Sequence, residues 1–145
     1  MEETGKNGGL LLAQVHQLSQ RVFSKILREH GIDQLNPAQG RVVFALWQED
    51  GLTQTELVKR TKLDKSTLTI MLDRLESAGM ITRSSPTNDA RVRTVNLTER
   101  NKQLHPRYLK ASEEMLERYY RGISSAEIDV FENVLKHIIA NLEAS

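Results

Sequence analysis

The residues whose types and spacing could do chemistry are basic and hydroxylic, and they gather in the middle of the chain. Lys65, Ser66, Thr67, Thr69 and Ile70 fall within two turns of one another if the segment is helical. A lysine ammonium meets guanine acceptors, hydroxyls donate or accept, and an isoleucine touches a thymine methyl. These are the means by which a helix reads base edges in the major groove. Lys62, Arg74 and Arg83 add positive charge around the same stretch. Arg91 and Arg93 come next, just after the turn-forming run Ser85-Pro86-Thr87-Asn88-Asp89-Ala90. Arginine entering a narrow minor groove gains from its negative potential. Asp89, two residues before Arg91, is placed to hold a guanidinium by a charge-assisted bond.

The charge distribution agrees. The chain of 145 residues has 20 basic and 19 acidic side chains, a net charge of +1. Residues 53–107 hold eleven of the basic and six of the acidic ones, so the middle carries +5 and the two ends together −4. A basic centre between acidic flanks suits a polyanion met by the centre alone. Other chemistries find little support. There is no cysteine, which excludes disulfides and thiol chemistry and fits a reducing interior. His16, His30, His105 and His137 form no close i, i+4 pair, and no metal is expected. Glu113, Glu114 and Glu117 read as a solvated helix face. There is no P-loop, dinucleotide fingerprint or nucleophile elbow, so no enzyme is expected. No apolar run approaches the roughly 20 residues of a membrane span, and a cytoplasmic protein is predicted.

The elements that must position these residues are mainly helical. Leu11, Leu12, Val15, Leu18, Val22, Ile26 and Leu27 form one stripe on a helix from about Leu10 to His30, stopped by Gly31. Asn36-Pro37 reads as N-cap and N1 of a second helix ending near Asp50-Gly51. Thr53 and Glu56 make a capping box for a short helix to about Thr61. Asp64, or Ser66, caps the next, which carries Leu68, Leu72 and Leu75 inward and stops at Gly79. Two short helices across a turn of three or four residues are a helix-turn-helix. Ile81 to Ser84 and Val92 to Leu97 then predict a β-hairpin, which makes it a winged helix. Thr98 caps a long helix that Pro106 should bend or leave frayed in its first turns. Ser124 or Ser125 caps a last helix striped by Ile128, Phe131, Val134, Leu135, Ile138, Ile139 and Leu142.

The expected fold class is therefore mainly α with a minor β part: a winged helix-turn-helix flanked by long dimerisation helices. The expected divisions are 1–34 and 99–145 for the dimerisation helices and 35–98 for the DNA-binding domain. The terminal stripes hold more apolar surface than one small lobe can bury, and a two-fold pairing with a second copy would cover it. That pairing would set two reading heads about 34 Å apart on double-stranded DNA. A monomer whose helices fold over the winged helix is the alternative. A winged helix that binds protein instead of DNA, and a small enzyme with a nonstandard site, are the alternative functional classes.

In order and spacing, these residues resemble the MarR family of bacterial and archaeal transcription factors. Leu35-Asn36-Pro37-Ala38-Gln39 resembles the start of the family's second helix, and Leu57 to Leu63 with Lys65 to Thr69 its helix-turn-helix. Asp73 to Arg83 is similar to its exit into the wing, and Asp89-Ala90-Arg91 with Leu97-Thr98 to its wing signature. The family often has arginine where Ile70 stands and glycine where Asn101 stands, and Pro106 is unusual. The resemblance implies a homodimeric repressor of a pseudo-palindromic operator. It implies no resident cofactor but a small aromatic effector, in a cleft whose lining here would be Leu12, His16, Phe44, Trp47 and Tyr108.

Overall fold

A computed structural model describes residues 5–84 and 93–145. Its order is α1 (Gly8–Glu29), α2 (Pro37–Gln48), β1 (Leu52–Thr53), α3 (Gln54–Thr61), α4 (Lys65–Ser77), β2 (Ile81–Ser84), β3 (Thr94–Leu97), α5 (Glu99–Tyr119) and α6 (Ser125–Glu143). The mainly helical winged-helix fold read from the sequence is the one observed.

The helix boundaries follow from capping chemistry. Asn36 and Gln39 exchange side-chain and backbone hydrogen bonds at the start of α2, with Pro37 behind the cap. Thr53 and Glu56 do the same for α3, and Ser124 and Glu127 for α6. Asp64, rather than Ser66, caps α4 through the Thr67 N–H at 2.8 Å. Two stops share one device. Gly31 and Gly79 take φ of +74° and +75°. The following N–H groups, of Ile32 and Met80, then reach back to the Leu27 and Leu75 carbonyls.

The sheet has three antiparallel strands in the order β1-β3-β2. β2 and β3 are the expected hairpin, with Ile81 opposite Leu97 and Ser84 opposite Thr94. β1 was not expected. It is two residues long, too short to show alternation, and pairs Leu52 with Val95. Within the described residues β3 begins at Thr94, and Val92, where the alternation starts, lies outside them.

One core joins the winged helix to parts of α1 and α5. Ile26, Val42, Val43, Leu57, Leu68, Leu72, Leu75, Met80 and Ala111 are fully buried in it. α5 runs unbroken through Pro106. Its first turn is not frayed, because Thr98 caps it and Asn101 and Leu104 are buried. The missing Pro106 N–H costs one helical bond, and the cap and the buried side chains ahead of it hold the turn. α6 buries no residue. Leu10, Leu11, Leu18, Val130, Val134, Ile139 and Leu142 all stand exposed on α1 and α6. Among the described residues, no helix is long and apolar enough to cross a membrane.

Candidate DNA interface and effector cavity

α4 has two unlike sides. Leu68, Leu72 and Leu75 are fully buried and dock it on the core. Lys65, Ser66, Ile70, Asp73 and Arg74 are exposed on the other side, with Thr67 and Thr69 half-buried between. The turn from α3 into α4 depends on Lys62, whose φ of 61° is left-handed. Its ammonium lies 3.3 Å from a Glu143 carboxylate oxygen at the far end of α6. Thr61, buried just before, donates to the Leu57 carbonyl at 2.7 Å.

The hydroxyls on α4 are already engaged. Ser66 and Thr67 donate to Asp64, and Thr69 donates to the Lys65 carbonyl. The Thr67 N–H, helped by the Ser66 and Thr67 hydroxyls, holds Asp64 below the usual carboxylate range. Gln54, the first residue of α3, donates from Nε2 to Thr69 Oγ1 at 2.7 Å. Sequence reasoning missed Gln54, since nothing local marks a partner fifteen residues away.

Arg83 does not stand out from the wing as a free cation. Its side chain is 17 % exposed and clasps Asp73 Oδ1 at 2.6 Å and Glu76 Oε1 at 2.7 Å, while its N–H meets Glu76 Oε2 at 3.3 Å. The clasp ties strand β2 to α4, and the Arg83 hydrogen bond holds Glu76 below the ordinary carboxyl range. Among the described residues, Arg83 Nε is buried without a hydrogen-bond partner. The placement makes Arg83 a strut between α4 and β2, because two carboxylates on α4 face β2 across a turn closed by Gly79. Arg93 is exposed and near enough to Glu76 to stabilise its charge. Asp89 and Arg91 lie outside the described residues.

Of the five expected effector contacts, Phe44 and Tyr108 come together. They line a cavity of about 360 Å³ with Gly40, Arg41, Gln48 and Arg60. Arg41 is exposed there, whereas Arg60 is paired with Glu49 at 2.9 Å. Burial pushes the Tyr108 phenol up to about 12, so it stays protonated at neutral pH. Gly40 is required beside it: a Cβ there would run into the Tyr108 hydroxyl. Leu12 and His16 stand exposed on α1 and do not line this cavity. Trp47 sits behind Tyr108, with ring centroids 4.8 Å apart, and stacks on His105 at 4.3 Å. Its indole N–H donates to Asn101 Oδ1 at 2.9 Å, and Asn101 Nδ2 donates to the Met80 carbonyl at 3.0 Å. Trp47 thus belongs to the packing behind the cavity, because its one polar atom is used inward.

The histidines and acidic residues are placed individually. His30 contacts Glu114 at 3.3 Å, and Glu114 also accepts from Arg118, so this glutamate is not simply a solvated one. Among the described residues no group of three His, Asp or Glu could hold a metal ion.

The MarR family model matches residues 35–92, the segment that holds α2 to β2. The HTH-type transcriptional regulator SarZ of Staphylococcus haemolyticus is 33% identical over 100 residues, covering 69% of this chain and 67% of that protein. The chain belongs to the MarR family. Among its MarR relatives, the repressor MdtR of Bacillus subtilis is 27% identical over 85% of this chain and 82% of its own length. A mutant MarR of Escherichia coli, solved in complex with operator DNA, superposes with a TM-score of 0.80 at 27% identity, over 90% of this chain and 91% of that one. BpsR of Bordetella bronchiseptica, at 22% identity and a TM-score of 0.81 over 92% and 98% of the two chains, shares the fold. As a MarR-family member the chain is a DNA-binding transcription regulator and not an enzyme. Departures from the family pattern now have places: Ile70 is exposed on the reading side of α4, and Asn101 is the buried bridge between Trp47 and Met80.

Proposed function

We propose that the protein is a homodimeric repressor that binds a pseudo-palindromic operator and lets go when a small aromatic acid occupies the cavity beside α2. One observation carries the reading. α4 is fixed from behind by three fully buried leucines, while its other side offers Lys65, Ser66, Ile70 and Arg74 to whatever lies in front. A helix so mounted fits a groove about 12 Å wide, and Lys62 and Arg93 flank it for the phosphates. Asp89 and Arg91 are assigned to the wing tip on the sequence pattern.

The dimer is proposed because α1 and α6 hold apolar stripes that this chain leaves uncovered. A self-complementary pairing would bury both stripes and space two reading helices by about one turn of DNA. The division into arms, 1–34 and 99–145, and a reading head, 35–98, belongs to the same proposal, as does action in the cytoplasm. The effector is proposed as an aromatic anion because Phe44 and Tyr108 line the space with rings and Arg41 stands exposed beside them. An effector works here only by favouring one head spacing over another.

Selection of bound duplexes from a random pool tests the reading. Enriched sites with two-fold symmetry and half-sites about one helical turn apart are the expected result. Affinity should fall with salt, with a log–log slope near −0.9 for each phosphate neutralised. No enrichment and a slope near zero would point to a protein partner instead.

A further inference from the structure

The hydroxyls on α4 are fixed in direction by what they touch. A hydroxyl has one proton and two lone pairs. Ser66 Oγ lies 2.8 Å from Asp64 Oδ1 and Thr67 Oγ1 lies 3.0 Å from Asp64 Oδ2. Thr69 Oγ1 lies 2.8 Å from the Lys65 carbonyl oxygen. A carboxylate and a carbonyl only accept, so in each pair the hydroxyl must be the donor. The Gln54 amide nitrogen, which only donates, takes one lone pair of Thr69 at 2.7 Å. Each proton is therefore spent inside the protein, and lone pairs are what remain for a ligand.

We propose that Asp64 and the Lys65 carbonyl set the sequence preference of this regulator by making Ser66, Thr67 and Thr69 pure hydrogen-bond acceptors toward DNA. Each then selects, on the strand it faces, a base that presents an exocyclic amino group, adenine N6 or cytosine N4, over guanine and thymine, whose polar major-groove atoms O6, N7 and O4 only accept. This rests on the DNA-binding reading above. Lys65 is the complement: it has only donors, so guanine is read at its position and not at theirs. Ile70, 53 % exposed beside Thr69, prefers a thymine methyl. An A·T pair shows the amino group and the methyl on one edge, so Thr69 and Ile70 together favour A·T. Asp64 is a positioning residue, acting on DNA only through the hydroxyls it orients, and Gln54 fills one lone pair of Thr69 and leaves it a single acceptor site.

The test uses the full-length chain and sites selected from a random duplex pool. Selection with Thr69→Val identifies the base position read by that hydroxyl, as the one whose preference disappears. In the wild-type site that position carries adenine or cytosine. Where it is adenine, replacing it by purine, which lacks the amino group, weakens wild-type binding roughly 3–10-fold. Replacing it by 7-deazaadenine, which lacks only the N7 acceptor, changes binding less than twofold. Where it is cytosine, an analogue lacking the 4-amino group gives the same 3–10-fold loss. Gln54→Ala leaves the Thr69 proton on the Lys65 carbonyl, so the adenine or cytosine preference at the mapped position is kept. Guanine at that position in the wild-type site, loss of the amino group without effect, or a gain of guanine in Gln54→Ala each overturn the proposal while leaving DNA binding intact. The analogue measurements themselves are made on the wild-type chain. A pool that yields no enriched sequence removes the DNA reading and this inference with it.

Discussion

The winged helix and the helical arms treat apolar residues in opposite ways. In the winged helix, Leu57, Leu68, Leu72 and Leu75 are fully buried within one chain. On α6, Val130, Val134, Ile139 and Leu142 have the same chemistry and helical spacing, yet each is more than half exposed. Burial of such a side chain is worth about 1.5–3 kcal/mol. The winged helix collects that stabilisation in a core it shares with α1 and α5, and α6 leaves it uncollected. An arm that is incomplete has a surface on which a second copy can dock.

Truncations should break this comparison most sharply. Leu72→Ala removes a fully buried side chain and is expected to destabilise the fold by about 2–5 kcal/mol in chemical denaturation. Leu142→Ala, on α6, should change the stability of the dilute, separated chain by less than about 0.5 kcal/mol. Any larger loss with Leu142→Ala should appear only at concentrations where copies associate. Equal effects at high dilution would mean that α6 is buried against its own chain.

Next in size is Asn101→Ala. It leaves the Trp47 indole N–H without its partner and the Met80 carbonyl with only the Thr98 N–H at 3.3 Å, at a cost of about 1–3 kcal/mol. Trp47 is the only tryptophan, so its fluorescence reports the loss directly. An unchanged spectrum would detach the cavity side from the exit of α4. Arg83→Ala opens the clasp between α4 and the wing. Because Asp73 and Glu76 are half-exposed, a loss of only about 1–2 kcal/mol is expected by thermal melting.

The Glu76 carboxyl gives a pH test of the same clasp. Its pKa is lowered in the fold by the Arg83 hydrogen bond from an ordinary value of 4.5. A depressed carboxylate stabilises fully above that ordinary value, and its contribution is lost as pH falls through the lower folded one. The melting temperature should therefore drop below about pH 4.5, and Glu76→Gln should flatten that acid limb. The smallest effect is expected for Glu143→Gln. Its pair with Lys62 is solvent-exposed on both sides and worth about 0–1 kcal/mol. A large change in melting there would show that α6 is braced against the reading head.

Much of the head was legible because its signals are local. A cap needs a hydroxyl or carboxylate three residues from an N–H, as at Thr53, Asp64, Thr98 and Ser124. A stop needs glycine where φ turns positive, as at Gly31 and Gly79. Three leucines at helical spacing named the inner side of α4. The site was less legible. That Arg83 is a cation could be read, but that it is spent on Asp73 and Glu76 could not. Nor could the partner of Gln54, the two-residue strand β1, or the separation of Leu12 and His16 from Phe44 and Tyr108.

The sequence by itself determined where each helix begins and ends, which side of each is apolar and which residues belong to the family pattern, because capping, backbone preference and periodicity act within a few residues. Tertiary structure alone decided which polar groups are consumed internally and which are left to meet a partner. Hydrogen bonds and ion pairs form between groups brought together by packing, and a donor's type does not say where its proton goes.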